Sequence, residues 1–178
     1  AETECIEFKE AKTGLDFRKL GKYFSALSNE ANLKNQSCAW LVFGVKDKPI
    51  PRGIVGSNFR KDRSDLDSLK GEIAKKTTNG ITFDEIYELT YPEGRVIMFK
   101  IPPAPKGIPV AWEGHYFGRD GEEISPLNLV EIELIRKQAT YIDWSAKIIP
   151  EASIADLSQE AIQKAREEYK KKESFKIK

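Results

Sequence analysis

Three carboxylates are the residues best suited to chemistry in this sequence: Glu2 and Glu7 in the opening run ETECIEFK, and Asp47 at the end of WLVFGVKD. Acidic groups gathered in one place repel, and a divalent ion that prefers oxygen ligands, Mg²⁺ or Mn²⁺, relieves the repulsion. Such an ion would polarise a phosphodiester and activate water. Lys9, on the same strand face as Glu7, is placed to hold the phosphate. The same spacing also fits plain structural partnership, with Glu7 paired to Lys9 and Asp47 capping a turn.

For the acids to meet, two segments must lie side by side. Trp40–Val45 is an apolar, β-branched and aromatic run, the pattern of a strand buried on both faces. Gly44 admits another backbone or a ligand, and Asp47 falls where the strand leaves the core. Cys5–Lys9 alternates, which predicts Ile6 and Phe8 inside with Glu7 and Lys9 looking out. Short connections favour adjacency of these two strands. Between them Phe17, Leu20, Phe24 and Leu27 recur at helical spacing behind Asp16 as N-cap, and the helix is expected to fade into the polar stretch Ser28–Gln36.

Beyond Asp47, KPIPRGIVGSNF reads as a turn and a short strand. Ser64 with Asp67 has the spacing of a capping box, and Leu66, Leu69 and Ile73 mark a buried stripe on a helix that closes at Asn79–Gly80. Ile81–Thr90 and Arg95–Ile101 form a hairpin across Pro92-Glu93-Gly94, with a slip in alternation near Asp84–Glu85 that fits a bulge. Ile108–Trp112 and His115–Gly118 are short strands, followed by a turn at Arg119-Asp120-Gly121. Ser125-Pro126 is expected to start a helix that buries Leu127, Val130, Leu134 and Ile135. Trp144 is an expected anchor in the mixed stretch 139–155, and Asp156–Lys172 is helical and heavily charged. Helices and strands in this order predict an α+β fold, a mixed sheet packed with helices. The expected division is a domain over 1–138 and a linker with a charged helix over 139–178, leading into a further domain.

The chain has 178 residues, 40% hydrophobic and 32% charged, with 29 basic against 28 acidic residues. That is enough for one domain with a substantial core, but a neutral molecule exerts little long-range pull on nucleic acid, so binding must come from local segregation of charge. Such segregation occurs between Lys46 and Arg63, where Lys46, Lys48, Arg52, Arg60, Lys61 and Arg63 face only Asp47 and Asp62. Cations on loops near strand ends can grip phosphates. Arg119 has Tyr116 and Phe117 beside it, a setting for stacking a base or packing the guanidinium. Cys5 and Cys38 suggest a reduced, cytoplasmic chain, and with His115 they are too few for structural zinc. No apolar run suits a membrane span, no phosphate-binding GxxxxGK[ST] is present, and His115 lacks a nucleophile motif.

Glu2-x-x-x-x-Glu7-Phe8-Lys9, Ser25-Ala26-Leu27-Ser28-Asn29, Phe43-Gly44-Val45-x-Asp47, Gly53-Ile54-Val55-Gly56 and Tyr116-Phe117-Gly118-Arg119-x-Gly121, in this order over residues 2–137, resemble the Schlafen AlbA-type DNA-binding domain. The resemblance implies a domain at the N-terminus of bacterial transcriptional regulators, often labelled ATP-binding or divergent AAA-type, with winged-helix segments downstream. It also implies, from the vertebrate Schlafen members, a metal-dependent endoribonuclease acting on tRNA and rRNA through Glu2, Glu7 and Asp47. Two departures stand out: the family's Gly-Gly pair is missing from a longer Glu30–Ala39, and the nuclease members carry a duplicated core where this chain has one copy, so a cleft would require a homodimer. The leading expectation is DNA or RNA binding with Lys9, Lys46, Lys48, Arg52 and Arg119 at the phosphates. The alternatives are the endoribonuclease, with Mg or Mn at Glu2, Glu7 and Asp47, and a dimerisation module.

Overall fold

The structure, a computed structural model, describes residues 4–139, 150, 153–156 and 158–174. Two compact units divide the chain, Ala1–Thr140 and Tyr141–Lys178. In the first, β1 (Ile6–Lys9) is followed by helix α1 (Phe17–Leu33) and β2 (Ala39–Phe43). Helix α2 (Arg63–Ala74) precedes the hairpin of β3 (Glu85–Tyr91) and β4 (Gly94–Ile101). Strands β5 (Ala111–Trp112), β6 (His115–Asp120) and β7 (Glu123–Pro126) and helix α3 (Leu129–Arg136) complete the unit. The second unit contains α4 (Gln159–Ser174). The fold is α+β, and Trp144 lies outside the described residues.

The first sheet has the order β1-β2-β4-β3, with β1 parallel to β2 and the other pairs antiparallel. A parallel pair needs a crossover, and α1 supplies it. The inner face of the sheet, with Leu41, Phe43, Ile97, Phe99 and Ile101, joins one core with Leu20, Phe24 and Leu27 of α1 and Leu66, Leu69 and Ile73 of α2. Phe43, Phe59, Phe83 and Phe99 meet edge-on or tilted at 5.0–6.2 Å between ring centres, the arrangement their quadrupoles favour.

Helix α1 starts as the sequence implies, with Asp16 accepting from the Lys19 amide at 2.9 Å. It does not fade at Ser28. It continues to Leu33 because its second face, polar in composition, is buried against the sheet β5-β6-β7. Gly21, Ser25 and Asn29 recur every fourth residue, so they share one stripe. The stripe begins with a residue lacking a side chain because Trp112 lies against it: a Cβ on Gly21 would come within 2.1 Å of the indole.

Several local expectations give way. In β1 the buried residue is Glu7, with Cys5 buried just before the strand, whereas Ile6 and Phe8 are half-buried on the opposite face. The inner face accepts a carboxylate because a buried arginine meets it there. The Ser64–Asp67 capping box does not form: Asp62 takes the N-cap position, and Asp67 pairs instead with Arg63 at 3.1 Å, one turn away. Helix α2 ends at Ala74, and Thr78–Gly80 is a separate 3-10 turn. Strand β3 starts at Glu85 and pairs regularly with β4, so the slip in alternation marks the strand's beginning rather than a bulge. Arg119 and Asp120 are the last residues of β6, with the turn following them, and Ser125-Pro126 completes β7. Asn128 opens α3 with a reciprocal cap to Glu131. Starting there, α3 buries Ile135 but leaves Val130 and Leu134 exposed.

Candidate nucleic-acid interface

The site begins at Gly44, where β2 stops. The Gly44 amide donates to the Lys9 and Glu10 carbonyls at 2.9 and 3.1 Å, and its own carbonyl accepts from the Val55 and Gly56 amides at 2.8 and 3.1 Å. These bonds, with the isolated bridge between Val45 and Ile54, fold residues 46–53 into a projecting hairpin at the C-terminal end of the parallel pair. Gly44 (φ +87°) could carry no side chain, since a Cβ there would lie 2.5 Å from the Arg95 carbonyl oxygen. The close approach expected at this glycine is therefore to another part of the backbone.

The hairpin carries Lys46, Asp47, Lys48 and Arg52. The Arg52 guanidinium lies 4.3 Å from the centre of the Phe8 ring, on the outer face of β1, and one of its nitrogens is 3.9 Å from Asp47. Lys48 pairs with Glu122 beyond β6 at 3.2 Å. By reaching both Phe8 and Glu122, the hairpin wraps the β1 edge of the sheet, which blunts an otherwise open strand.

On the inner face the charges are buried. Glu7 binds Lys9 through one carboxylate oxygen and Arg119 through the other, the latter at 2.5 Å with the two side chains only 3% and 1% exposed. The Arg119 guanidinium also donates to the Gly121 and Glu122 carbonyls, and its amide donates to Glu30 at 2.9 Å. Burial would lower the Lys9 pKa, but the hydrogen bond and charge of Glu7 more than offset it, so the ammonium titrates above its ordinary value. Lys9 also lies 5.3 Å from the Tyr23 ring centre.

Glu30 is buried with a single wall of partners, and loss of solvent is the main reason its pKa rises above the usual carboxylate range, against the Arg119 amide bond that lowers it. A folded-state pKa above the unfolded one means the folded chain binds the extra proton, so stability falls as pH rises between the two values. Glu30→Gln keeps an acceptor for Arg119 and removes the charge. The variant is expected to lose that part of the pH dependence and gain stability at neutral pH relative to the parent, measured by urea unfolding at about pH 5 and about pH 8.

The expected site residues thus fall into two groups. Glu7, Lys9 and Arg119 form the buried inner cluster; Lys46, Asp47, Lys48 and Arg52 belong to the hairpin; Glu2 lies outside the described residues. Glu7 has a cation on each oxygen, and Asp47 lies by Arg52, whose guanidinium packs over Phe8 on the outer face of β1. No cluster of three metal-ligating side chains occurs among the described residues.

Ser25 and Asn29 enter the sequence reading only through the family resemblance, and Glu30 only as the start of a longer loop. The signal was the four-residue spacing of Ser25 and Asn29, with Asn29 and Glu30 falling in the Ser28–Gln36 stretch read as fading. Together they satisfy the backbone of the second sheet: Ser25 donates to the Val110 carbonyl at 2.7 Å and accepts from the Phe117 amide at 3.2 Å. Asn29 donates to the Val110 and Phe117 carbonyls and accepts from the Val110 amide, all within 2.9 Å.

A helix held between a mixed four-stranded sheet and a small antiparallel one, with a cationic hairpin at the end of the parallel pair, defines a small α+β domain. Residues 2–128 match the family model described as "Schlafen, AlbA_2", and the chain belongs to that family. No curated protein sequence matches the chain. Among solved structures, the DIP2311 protein of Corynebacterium diphtheriae aligns with 93% of this chain at 20% identity and a TM-score of 0.54. That likeness concerns the fold alone, and the chain spans 29% of the DIP2311 length. The N-terminal domain of an ATP-dependent DNA helicase RecG-related protein from Nitrosomonas europaea aligns with 72% of this chain and 84% of its own, at 18% identity and a TM-score of 0.48.

Among the described residues no helix is long and apolar enough to cross a membrane. Cys5 and Cys38 are free thiols, and burial is the main influence raising the Cys5 pKa. His115 is on the surface.

Proposed function

We propose that this chain is a nucleic-acid-binding domain of a cytoplasmic bacterial transcriptional regulator, gripping DNA phosphates with the hairpin that leaves β2. One observation carries the reading: in a chain of almost zero net charge, Lys46, Lys48 and Arg52 are gathered on one backbone-pinned projection whose own residues include a single acid, Asp47, with Glu122 reaching Lys48 from beyond β6. Membership of the AlbA_2 family supports it. Loop cations fix a protein on the phosphate chain without reading sequence, so the expected binding is salt-sensitive and weakly specific.

Arg119 and Lys9 take a different part in this reading. Arg119 secures the end of β6, and the hairpin residue Lys48 pairs with Glu122, whose carbonyl Arg119 holds. Arg119 therefore positions the phosphate-binding loop, and Lys9 neutralises Glu7. The test is fluorescence anisotropy with labelled duplex DNA over a salt series. The log–log slope should be steep, and Lys46→Ala should weaken binding while reducing the slope by about 1, the contribution of one phosphate contact. Absent or salt-independent binding overturns the proposal.

A further inference from the structure

Building on the nucleic-acid reading above, we propose that the outer face of the first sheet is a stacking surface for unpaired bases of single-stranded nucleic acid, centred on Trp40, Tyr87 and Tyr91. Residues paired across a sheet share a face, so the registers define its rows. One row runs Ile6, Trp40, Lys100, Glu85 and the next Phe8, Val42, Met98, Tyr87. Beyond them, Leu89 pairs with Val96 and Tyr91 with Gly94. Among the described residues the clustered core side chains of β2 and β4 point the other way, while on this face Val42 and Val96 are buried and β3 carries the exposed rings.

The edge strand β3 presents Tyr87, Leu89 and Tyr91 with 44%, 39% and 43% of their surface exposed. The Trp40 and Tyr87 rings are 6.0 Å apart and inclined at 40°, so neither ring is stacked flat on the other. Large aromatic side chains rising from a sheet suit the π-faces of bases, whereas a duplex keeps those faces stacked inside. A row across four strands spans about 14 Å, room for two or three nucleotides.

Charge on this face also suits a polyanion. Lys100 rises between Trp40 and Glu85 with Asp84 at 3.7 Å, and the one acid of that row, Glu85, has Arg63 at 4.0 Å and Lys70 at 3.9 Å. At the far end of the second row, the Arg52 guanidinium over Phe8 joins the aromatic rows to the cationic hairpin. A strand whose phosphates meet the hairpin can lay its bases on the sheet without changing direction.

The test uses the full chain and two labelled probes, a short oligothymidylate and a hairpin duplex, at one salt concentration. Oligothymidylate is expected to bind, with Tyr87→Ala and Tyr91→Ala each weakening it roughly tenfold while duplex affinity stays the same. Tyr87→Phe, which keeps the ring, should retain the parent affinity. If Tyr87→Ala binds oligothymidylate as tightly as the parent while Lys46→Ala weakens both probes, the stacking surface is overturned and phosphate binding by the hairpin stands. If neither probe binds, both readings fall. A concentration-dependent dimer abolished by Tyr87→Ala would instead assign the face to a second copy of the chain and overturn the proposal.

Discussion

Arg119→Ala should cost the domain about 3–5 kcal/mol, the range found when one member of a buried ion pair is removed. The Glu7 carboxylate would keep Lys9 but lose its contact with Arg119, on the side with no access to water. The Gly121 and Glu122 carbonyls would lose their donor in the same change. Lysine is no substitute, because one ammonium cannot span the carboxylate and two carbonyls that a planar guanidinium reaches together. Equilibrium urea unfolding is the measurement. A loss below about 1 kcal/mol would place the pair among the weak surface contacts and contradict its burial. The double variant Glu7→Leu with Arg119→Met should be less damaged than Arg119→Ala, since neither charge is left behind.

Asn29→Ala should also be severe, at about 2 kcal/mol or more, from two buried backbone groups left without partners at roughly 1–3 kcal/mol each, while the Val110 carbonyl keeps its bond from Ser25. The groups are the Val110 amide, just ahead of β5, and the Phe117 carbonyl in β6. This loss has a local signature. Hydrogen exchange at the Val110 amide should accelerate more than at amides of the β2–β4 ladder, because the damage lies between α1 and the second sheet. Uniform acceleration would mean that Asn29 acts only through global stability.

These two residues also show where the sequence was readable and where it was not. The α1 N-cap at Asp16, the buried stripe of α2, the β3–β4 hairpin and the apolar β2 all follow from local pattern, because hydrophobic period and turn chemistry act over a few residues. The orientation of β1 does not. Ile6 and Phe8 are the apolar members of the alternation, yet Glu7 goes inside because Arg119, more than a hundred positions away in the chain, waits there. The polar end of α1 misled for the same reason: Ser25 and Asn29 answer carbonyls and amides on a sheet formed much later in the chain. The hairpin cations were legible as a local excess of charge. The placing of Asp47 beside Arg52, and of Arg52 over the Phe8 ring, was not, since it depends on which side of an edge strand the loop turns.

The meeting of Gly44, Gly56 and Gly94 bears on how variants of this protein should be interpreted. A Cβ on Gly94 would fall 2.6 Å from the Gly56 α-carbon, and one on Gly44 would strike the Arg95 carbonyl oxygen. All three have positive φ, at +87°, +75° and +139° in chain order, so larger residues are doubly penalised. Loss of binding in a glycine variant here would report a displaced loop rather than a missing ligand contact. Short glycine strings such as GIVG resemble a mould for a nucleotide, but in this domain they are the gap through which one segment of main chain passes over another.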